Sequence, residues 1–296
     1  MVDINLQNIT TDNLSLPIYI EKKIEVAVLR LDKVHPQISG NKWFKLRFYI
    51  EDAKTQGKNT IVTFGGAWSN HILATAAACK INSLMCIGII RGEQPALMSE
   101  TLLQAKKMGM HLVFISREDY RQQKISAELT SSDYYIIQEG GYGLPGANGG
   151  ATILDNCKKE IYTHIVCAAG TGTMTAGLIK GASPESQVIS ISVLKNNFAL
   201  EEKIKSLTGK TETTCHINHD YHFGGYAKKK PLLINFMNEF YYQTGIPADF
   251  VYTGKLFFAV NDMIRNNFYP AGSNLLIIHS GGLAGNASLS KGTLIF

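Results

Sequence analysis

Apolar positions along the chain follow two rhythms. Runs of strand length, rich in Val, Ile and Leu at successive positions, occur at residues 26–30, 60–64, 84–90, 111–115, 134–138, 163–167, 188–193 and 275–279. Between them, apolar residues recur every three or four positions, over 42–54, 70–80, 99–108, 153–161, 175–181, 200–206, 232–243 and 255–265. A strand that is apolar throughout, rather than alternating, is buried on both faces. Such strands interleaved with helices predict mostly parallel sheets with right-handed crossovers, an α/β fold. No internal repeat or low-complexity segment interrupts the pattern.

The glycine-rich stretch from Gly140 to Gly150 is the best break in the middle of the chain. With the turn at Ser39-Gly40, it brackets a segment expected to form a small inserted α/β domain over residues 45–150. A larger domain is then expected from both chain ends, 1–44 and 151–296. Ligands of such sheets bind beyond the strand C-termini, often where two domains meet.

Composition narrows the class. The 296 residues are 45% hydrophobic and only 18% charged, below the roughly 25% charged of an average soluble domain. This fits a compact enzyme with much buried surface and a subunit interface. The net charge of +5 is mild and the lysines are scattered apart from Lys228-Lys229-Lys230, so no nucleic-acid partner is expected. A small basic excess suits anionic ligands. Five cysteines with no CxxC pair do not make a disulfide framework. No apolar run reaches the ~20 residues of a membrane span, the first residues do not read as a secretory signal, and the cytoplasm is the expected location.

Lys42 stands where the turn Ser39-Gly40-Asn41 enters a helix-period segment. On a helix starting there, Lys42, Leu46, Tyr49 and Ala53 share one face, and Lys45, Glu51 and Lys54 point elsewhere. Lys42 thus opens an apolar face. A lysine that forms an imine needs partial desolvation, which lowers its pKa and frees the amine. Taken alone, a lysine in a first helical turn is ordinarily a solvated one.

Three strand ends carry further chemistry. The run 163–169 ends in Gly170-Thr171-Gly172-Thr173-Met174, followed by a helix from about Thr175. Glycines let backbone N–H groups approach an anion, and the helix start adds unpaired donors. The loop lacks both GxGxxG and a Walker lysine, so a monophosphate suits it best. The run 60–64 ends in Gly65-Gly66-Ala67-Trp68-Ser69-Asn70-His71. There Ser69 or Asn70 is a natural helix cap or, with the local amides, a site for a carboxylate. The run 275–279 ends in Ser280-Gly281-Gly282, whose hydroxyl could meet a ring nitrogen. Tyr226 and Tyr252 sit in Tyr/Gly turns and could stack on a pyridine ring or present a hydroxyl. His216, His219 and His222 recur every three positions, as metal ligands on a helix might. Their Asn, Asp and Tyr neighbours predict a loop instead, and no metal site is expected.

A lysine at a helix start and one phosphate loop are what an enzyme needs to hold an aldehyde cofactor at both ends. The motif order resembles the 1-aminocyclopropane-1-carboxylate deaminase / D-cysteine desulfhydrase family of fold-type II pyridoxal-phosphate enzymes, relatives of the tryptophan synthase β chain. The likeness spans nearly the whole chain: Gly40-Asn41-Lys42, residues 64–71, 170–177, Tyr252-Thr253-Gly254-Lys255 and His279-Ser280-Gly281-Gly282. The resemblance implies two three-layer α/β domains with pyridoxal 5'-phosphate in the cleft between them, and a homodimer. It implies Lys42 as the Schiff-base lysine and Asn70 on the cofactor's phenolic oxygen. Ser69, Asn70, His71 and Tyr226 would face the substrate. Gly170, Thr171, Gly172, Thr173 and Met174 would hold the phosphate, and Thr253 and Ser280 would meet the cofactor. Lys42, Ser69, Tyr226 and Tyr252 would be the catalytic set. The chain departs from the family pattern at Trp68, where a glutamine is usual, and at Trp43-Phe44.

Within the group, deaminases carry Glu after the YxGK tyrosine and Leu in the final H-x-GG, and desulfhydrases carry Thr at both. Thr253 and Ser280 make this chain resemble the desulfhydrases, with a small amino acid as substrate. A carboxylate on the ring nitrogen strengthens the electron sink. Opening a cyclopropane whose α-carbon bears no hydrogen calls for that more than losing a thiol after α-proton removal. The implied activity is α,β-elimination from D-cysteine to pyruvate, ammonia and sulfide. The alternatives are cyclopropane deamination to 2-oxobutyrate and ammonia, β-replacement or racemisation on a related scaffold, or a catalytically inactive small-molecule-binding homologue.

Overall fold

The computed structural model describes residues 4–124, 133–209 and 215–296. Its strands are β1 (Thr11–Leu14), β2 (Glu25–Arg30), β3 (Thr60–Gly65), β4 (Met85–Arg91), β5 (Met110–Ile115), β6 (Tyr134–Ile137), β7 (His164–Ala169), β8 (Gln187–Ser192), β9 (Cys215–Asn218) and β10 (Asn274–His279). Its α-helices are α1 (Pro17–Glu21), α2 (Asn41–Thr55), α3 (Asn70–Ile81), α4 (Glu100–Lys107), α5 (Arg117–Arg121), α6 (Leu144–Ala151), α7 (Thr173–Gly181), α8 (Leu200–Thr208), α9 (Pro231–Thr244) and α10 (Thr253–Arg265).

Two sheets result. One has the order β1-β2-β10-β7-β8-β9 and the other β5-β4-β3-β6. Every pairing is parallel except β1 with β2. The large sheet shows why its strands are apolar at every position. Val26, Val28, Val166, Leu275 and Ile277 face one core with α9 and α10. The residues between them, Ala27, Leu29, Ile165, Leu276 and Ile278, face a second core with α7 and α8. Successive side chains point to opposite faces, and both faces are covered. The small sheet has its own core with α2, α3 and α4. Helix α2 spans two of these cores: Phe44 packs in the second core of the large sheet, and Leu46, Tyr49, Ile50 and Ala53 pack under the small sheet.

Four local expectations are corrected. The glycine-rich stretch is not turn throughout, because α6 occupies its second half. Its glycines face neighbouring backbones: a β-carbon on Gly149 would lie 1.9 Å from the Phe44 carbonyl oxygen, and one on Gly177 of α7 would lie 2.6 Å from Gly150. Gly149 and Gly150 serve close helix packing, and Gly140, Gly141 and Gly143, all at positive φ, form the turn before α6. The helix expected over 153–161 is instead a pair of 3-10 segments, Thr152–Asn156 and Lys159–Ile161. The segment from Cys215 that reads as a loop begins as the edge strand β9, paired only with β8. Among the described residues, no group of three or more His, Cys, Asp or Glu is arranged to hold a metal. Finally, Lys45 does not point to solvent: it is 3% exposed. Among the described residues no helix is long and apolar enough to cross a membrane.

Candidate active site

The C-terminal ends of β3, β7 and β10 open onto one cavity of about 460 Å³. Of the expected site residues, it is lined by Lys42, Ser69, Asn70, His71, Gly170, Thr171, Gly172, Met174, Tyr226, Tyr252 and Ser280. They come from widely separated parts of the sequence, and the strand ends bring them together.

At the start of α2, Gly40 has φ 65° and ψ −141°, a region open in practice only to glycine. The Asn41 N–H donates to the Ser280 carbonyl at 3.2 Å, so the lysine-bearing helix is fastened to the loop after β10. Burial lowers the Lys42 amine to about 8, against the opposing pull of the Asp249 carboxylate. A useful share of that amine is uncharged near neutral pH. In the next turn the Lys45 amine donates to the Gly140 carbonyl at 3.3 Å. Burial, and then the charge of Lys42, hold it well below its ordinary value. The two amines line the same cavity, a setting that favours an anion.

The loop after β7 enters α7 through Gly172, which is left-handed at φ 83°. The Thr171 and Thr173 hydroxyls are 3.0 Å apart. Asn197 braces the loop from outside by donating to the Gly170 carbonyl at 3.1 Å. At the start of α3, the Ser69 hydroxyl accepts from Ile72 N at 3.3 Å, and the Asn70 amide donates to the Gly282 carbonyl at 3.3 Å. His71 is buried, with Nε2 2.8 Å from the Thr63 hydroxyl, which itself donates to the Ile137 carbonyl. Nε2 therefore carries the proton and donates, which leaves Nδ1 as an unpartnered buried acceptor. Burial and the two lysines hold this ring well below its ordinary pKa, so it stays neutral.

Tyr226 and Tyr252 meet edge to face, with ring centroids 6.4 Å apart. Burial raises both phenols, and the nearby Asp249 charge adds to it. Both hydroxyls therefore keep their protons.

Two expected residues do not line the cavity. The Thr253 hydroxyl is fully buried and held by Asp249: it donates to Oδ1 at 2.8 Å and accepts from Asp249 N at 2.8 Å. Thr173 is also fully buried, with its hydroxyl turned to Thr171. Lys45, Asn197 and Asp249 are site residues that sequence reasoning missed. Asp249 was the most legible of them. Its carboxylate accepts from Val251 N, Tyr252 N and Thr253 N, and so holds the turn that leads into a segment that already read as a helix.

A family model described as pyridoxal-phosphate dependent enzyme matches residues 16–281. The chain belongs to that family. Among pyridoxal-phosphate enzymes it falls in the group of 1-aminocyclopropane-1-carboxylate deaminases and D-cysteine desulfhydrases. It is 31% identical over 289 residues to a Pyrococcus abyssi protein named "Putative 1-aminocyclopropane-1-carboxylate deaminase", which covers 90% of this chain and 86% of that protein. It is 25% identical to a D-cysteine desulfhydrase of Salmonella typhi, over 87% of each chain. The crystal structure of an ACC deaminase homologue superposes with a TM-score of 0.81 at 28% identity, covering 94% of this chain and 90% of the other. The fold is that of the fold-type II enzymes, and the cofactor is pyridoxal 5'-phosphate. The residues present are compatible with it: the cavity offers a desolvated amine at Lys42, a second buried amine at Lys45, a glycine loop entering a helix at Gly170–Thr173, and hydroxyl and amide groups around the rest of its wall.

Proposed function

We propose that this pyridoxal-phosphate enzyme removes the β-substituent from a small amino acid. D-cysteine is the expected substrate; with water, it gives pyruvate, ammonia and hydrogen sulfide. When bound, the cofactor supplies an aldehyde that takes up the substrate amine and a ring that accepts the electrons of the broken α C–H bond. Lys42 takes the α-proton, a role suited to an amine whose pKa burial has brought to about 8. Ser69 and the amides at the start of α3 hold the substrate carboxylate. Tyr226 and Tyr252, both protonated, flank the reacting face and supply a proton to the departing thiolate.

The observation that carries this reading is the acid–base character of the cavity wall. Among the described residues lining it, Glu139 is the only carboxylate, and Ser280 presents a hydroxyl at the loop after β10. An uncharged partner leaves the ring a weaker sink, sufficient when an ordinary α-hydrogen is removed first. The Pyrococcus abyssi relative, by its name, favours a second reading, ring opening of 1-aminocyclopropane-1-carboxylate to 2-oxobutyrate and ammonia. One assay separates the two. Purified protein loaded with cofactor is expected to release pyruvate and sulfide from D-cysteine. Release of 2-oxobutyrate from the cyclic amino acid, with no sulfide from D-cysteine, would replace the first reading by the second. A cytoplasmic homodimer completes the proposal, supported by the low charged fraction and the family resemblance.

A further inference from the structure

The loop carrying Tyr226 is made of backbone conformations that need holding. Phe223, Gly224, Gly225 and Ala227 all have positive φ, at 54°, 96°, 119° and 52°. For Phe223 and Ala227 these values are strained, and strain of this kind persists only where the surroundings over-determine it. The tyrosine is 44% exposed, so its own packing supplies only part of that restraint.

Bonds within the loop, from Gly224 N to His222 Nδ1 at 2.8 Å and from Lys228 N to the Gly225 carbonyl at 3.4 Å, add to it, and helix α10 braces the loop from below. The Tyr221 hydroxyl donates to the Asp262 carboxylate at 2.8 Å, and Phe223 meets Phe258 edge to face at 4.9 Å. On the same helix stands Lys255, fully buried. Its amine donates to the Gly225 carbonyl at 2.8 Å and to the Val193 carbonyl, just beyond β8, at 3.1 Å. A buried amine is expensive unless its donors are used, and here two of them tie the residue before Tyr226 to the end of a central strand.

We propose that Lys255 is a positioning residue for Tyr226. By clamping the Gly225 carbonyl to α10 and β8, it holds the strained loop in place and fixes the tyrosine ring at the cavity against Tyr252. The clamp is a property of the chain alone. Its effect on turnover rests on the role of Tyr226 proposed above.

The test is Lys255→Met, which keeps the apolar stem and removes both donors. Amide hydrogen exchange across residues 220–228, read by mass spectrometry, is expected to speed up about tenfold or more, with β10 and α3 unchanged, as for a local opening. In cofactor-loaded enzyme, kcat for pyruvate release is expected to fall in Lys255→Met. In a Tyr226→Phe background the same change adds no further loss, because residues acting through one another are not additive. Unchanged exchange in a folded variant overturns the proposal, as do losses that add. If Lys255→Met does not fold, Lys255→Gln, which keeps one donor, carries the same measurements with a smaller effect. Failure of both to fold makes the lysine a general support of the core and also overturns the proposal. If no elimination activity exists, the exchange result alone decides, so failure of the clamp and failure of the proposed reaction are told apart.

Discussion

Gly40 and Ser280 touch through their backbones: a β-carbon on Gly40 would lie 1.8 Å from the Ser280 carbonyl oxygen. From the other side, a β-carbon on Gly281 would lie 2.4 Å from the Ser39 hydroxyl. This seam joins the helix carrying Lys42 to the loop carrying Ser280, both of which line the cavity. Gly40→Ala would combine a backbone collision with a glycine-only conformation. The expected loss is about 3 kcal/mol or more, read as a lower urea midpoint, together with weaker retention of the cofactor on gel filtration.

Lys42 predicts a pH effect whose sign can be worked out. Its folded-state pKa is depressed to about 8 from the ordinary 10.5. Between those values the unfolded chain holds a proton that the folded chain does not, so stability rises with pH across that window. Below about pH 8 both states are charged and the full desolvation penalty stands. Lys42→Met is therefore expected to stabilise the cofactor-free protein at pH 7 by roughly 2 kcal/mol, after allowance for partial exposure. The gain should vanish above pH 10.5. Denaturant titrations at several pH values check this, and the same variant should lose the visible absorption band of the bound cofactor.

Asp249 holds the turn that enters α10 and sets the charge near Lys42. Asp249→Asn replaces one accepting oxygen with an N–H group that faces backbone donors. The expected cost is about 2–4 kcal/mol. Loss of the negative charge should also push the Lys42 amine lower still. Its reaction with an amine reagent, followed against pH, should shift toward lower pH in a folded variant.

Beneath Ser280 lies a buried ion network. The Arg30 guanidinium meets both Asp32 oxygens at 2.9 and 2.7 Å, and Asp32 Oδ1 is 3.3 Å from His279 Nδ1. Burial pushes the Asp32 carboxyl up, but the bonds and charges of Arg30 and His279 outweigh it and hold the group below its ordinary range. The stability it contributes is present above the unfolded pKa and lost as pH falls through the folded value. Asp32→Ala would leave the buried guanidinium with Asp12 alone, which it meets at 2.9 Å, at about 1–3 kcal/mol. Thermal unfolding should show a large drop at pH 7 that narrows under acid conditions.

Much of the fold could be read along the chain because the two rhythms are local. Continuous apolar runs such as 164–169 and 274–279 are strands of a sheet covered on both faces, and the intervening periodic segments are its helices. The edge strands of the large sheet were not legible: β1 and β9 are short, half-buried and polar, and a single paired neighbour defines each of them. The helix α6 was hidden because glycine signals a turn in sequence but can equally allow two helices to touch.

The sequence by itself determined the order of the motifs, the glycines and hydroxyls at the strand ends, and the cofactor chemistry they serve, because each motif is a short contiguous segment whose function lies in its backbone and residue type. Only the tertiary structure decided which side chains reach the cavity. Lys45 turns inward because α2 lies between the cores of the two sheets, and Thr253 turns away because Asp249 claims its hydroxyl. Lys255 meets Gly225 and Val193 only when a helix, a loop and a strand converge. Burial and hydrogen-bond partners depend on contacts between distant segments, and no local pattern encodes those.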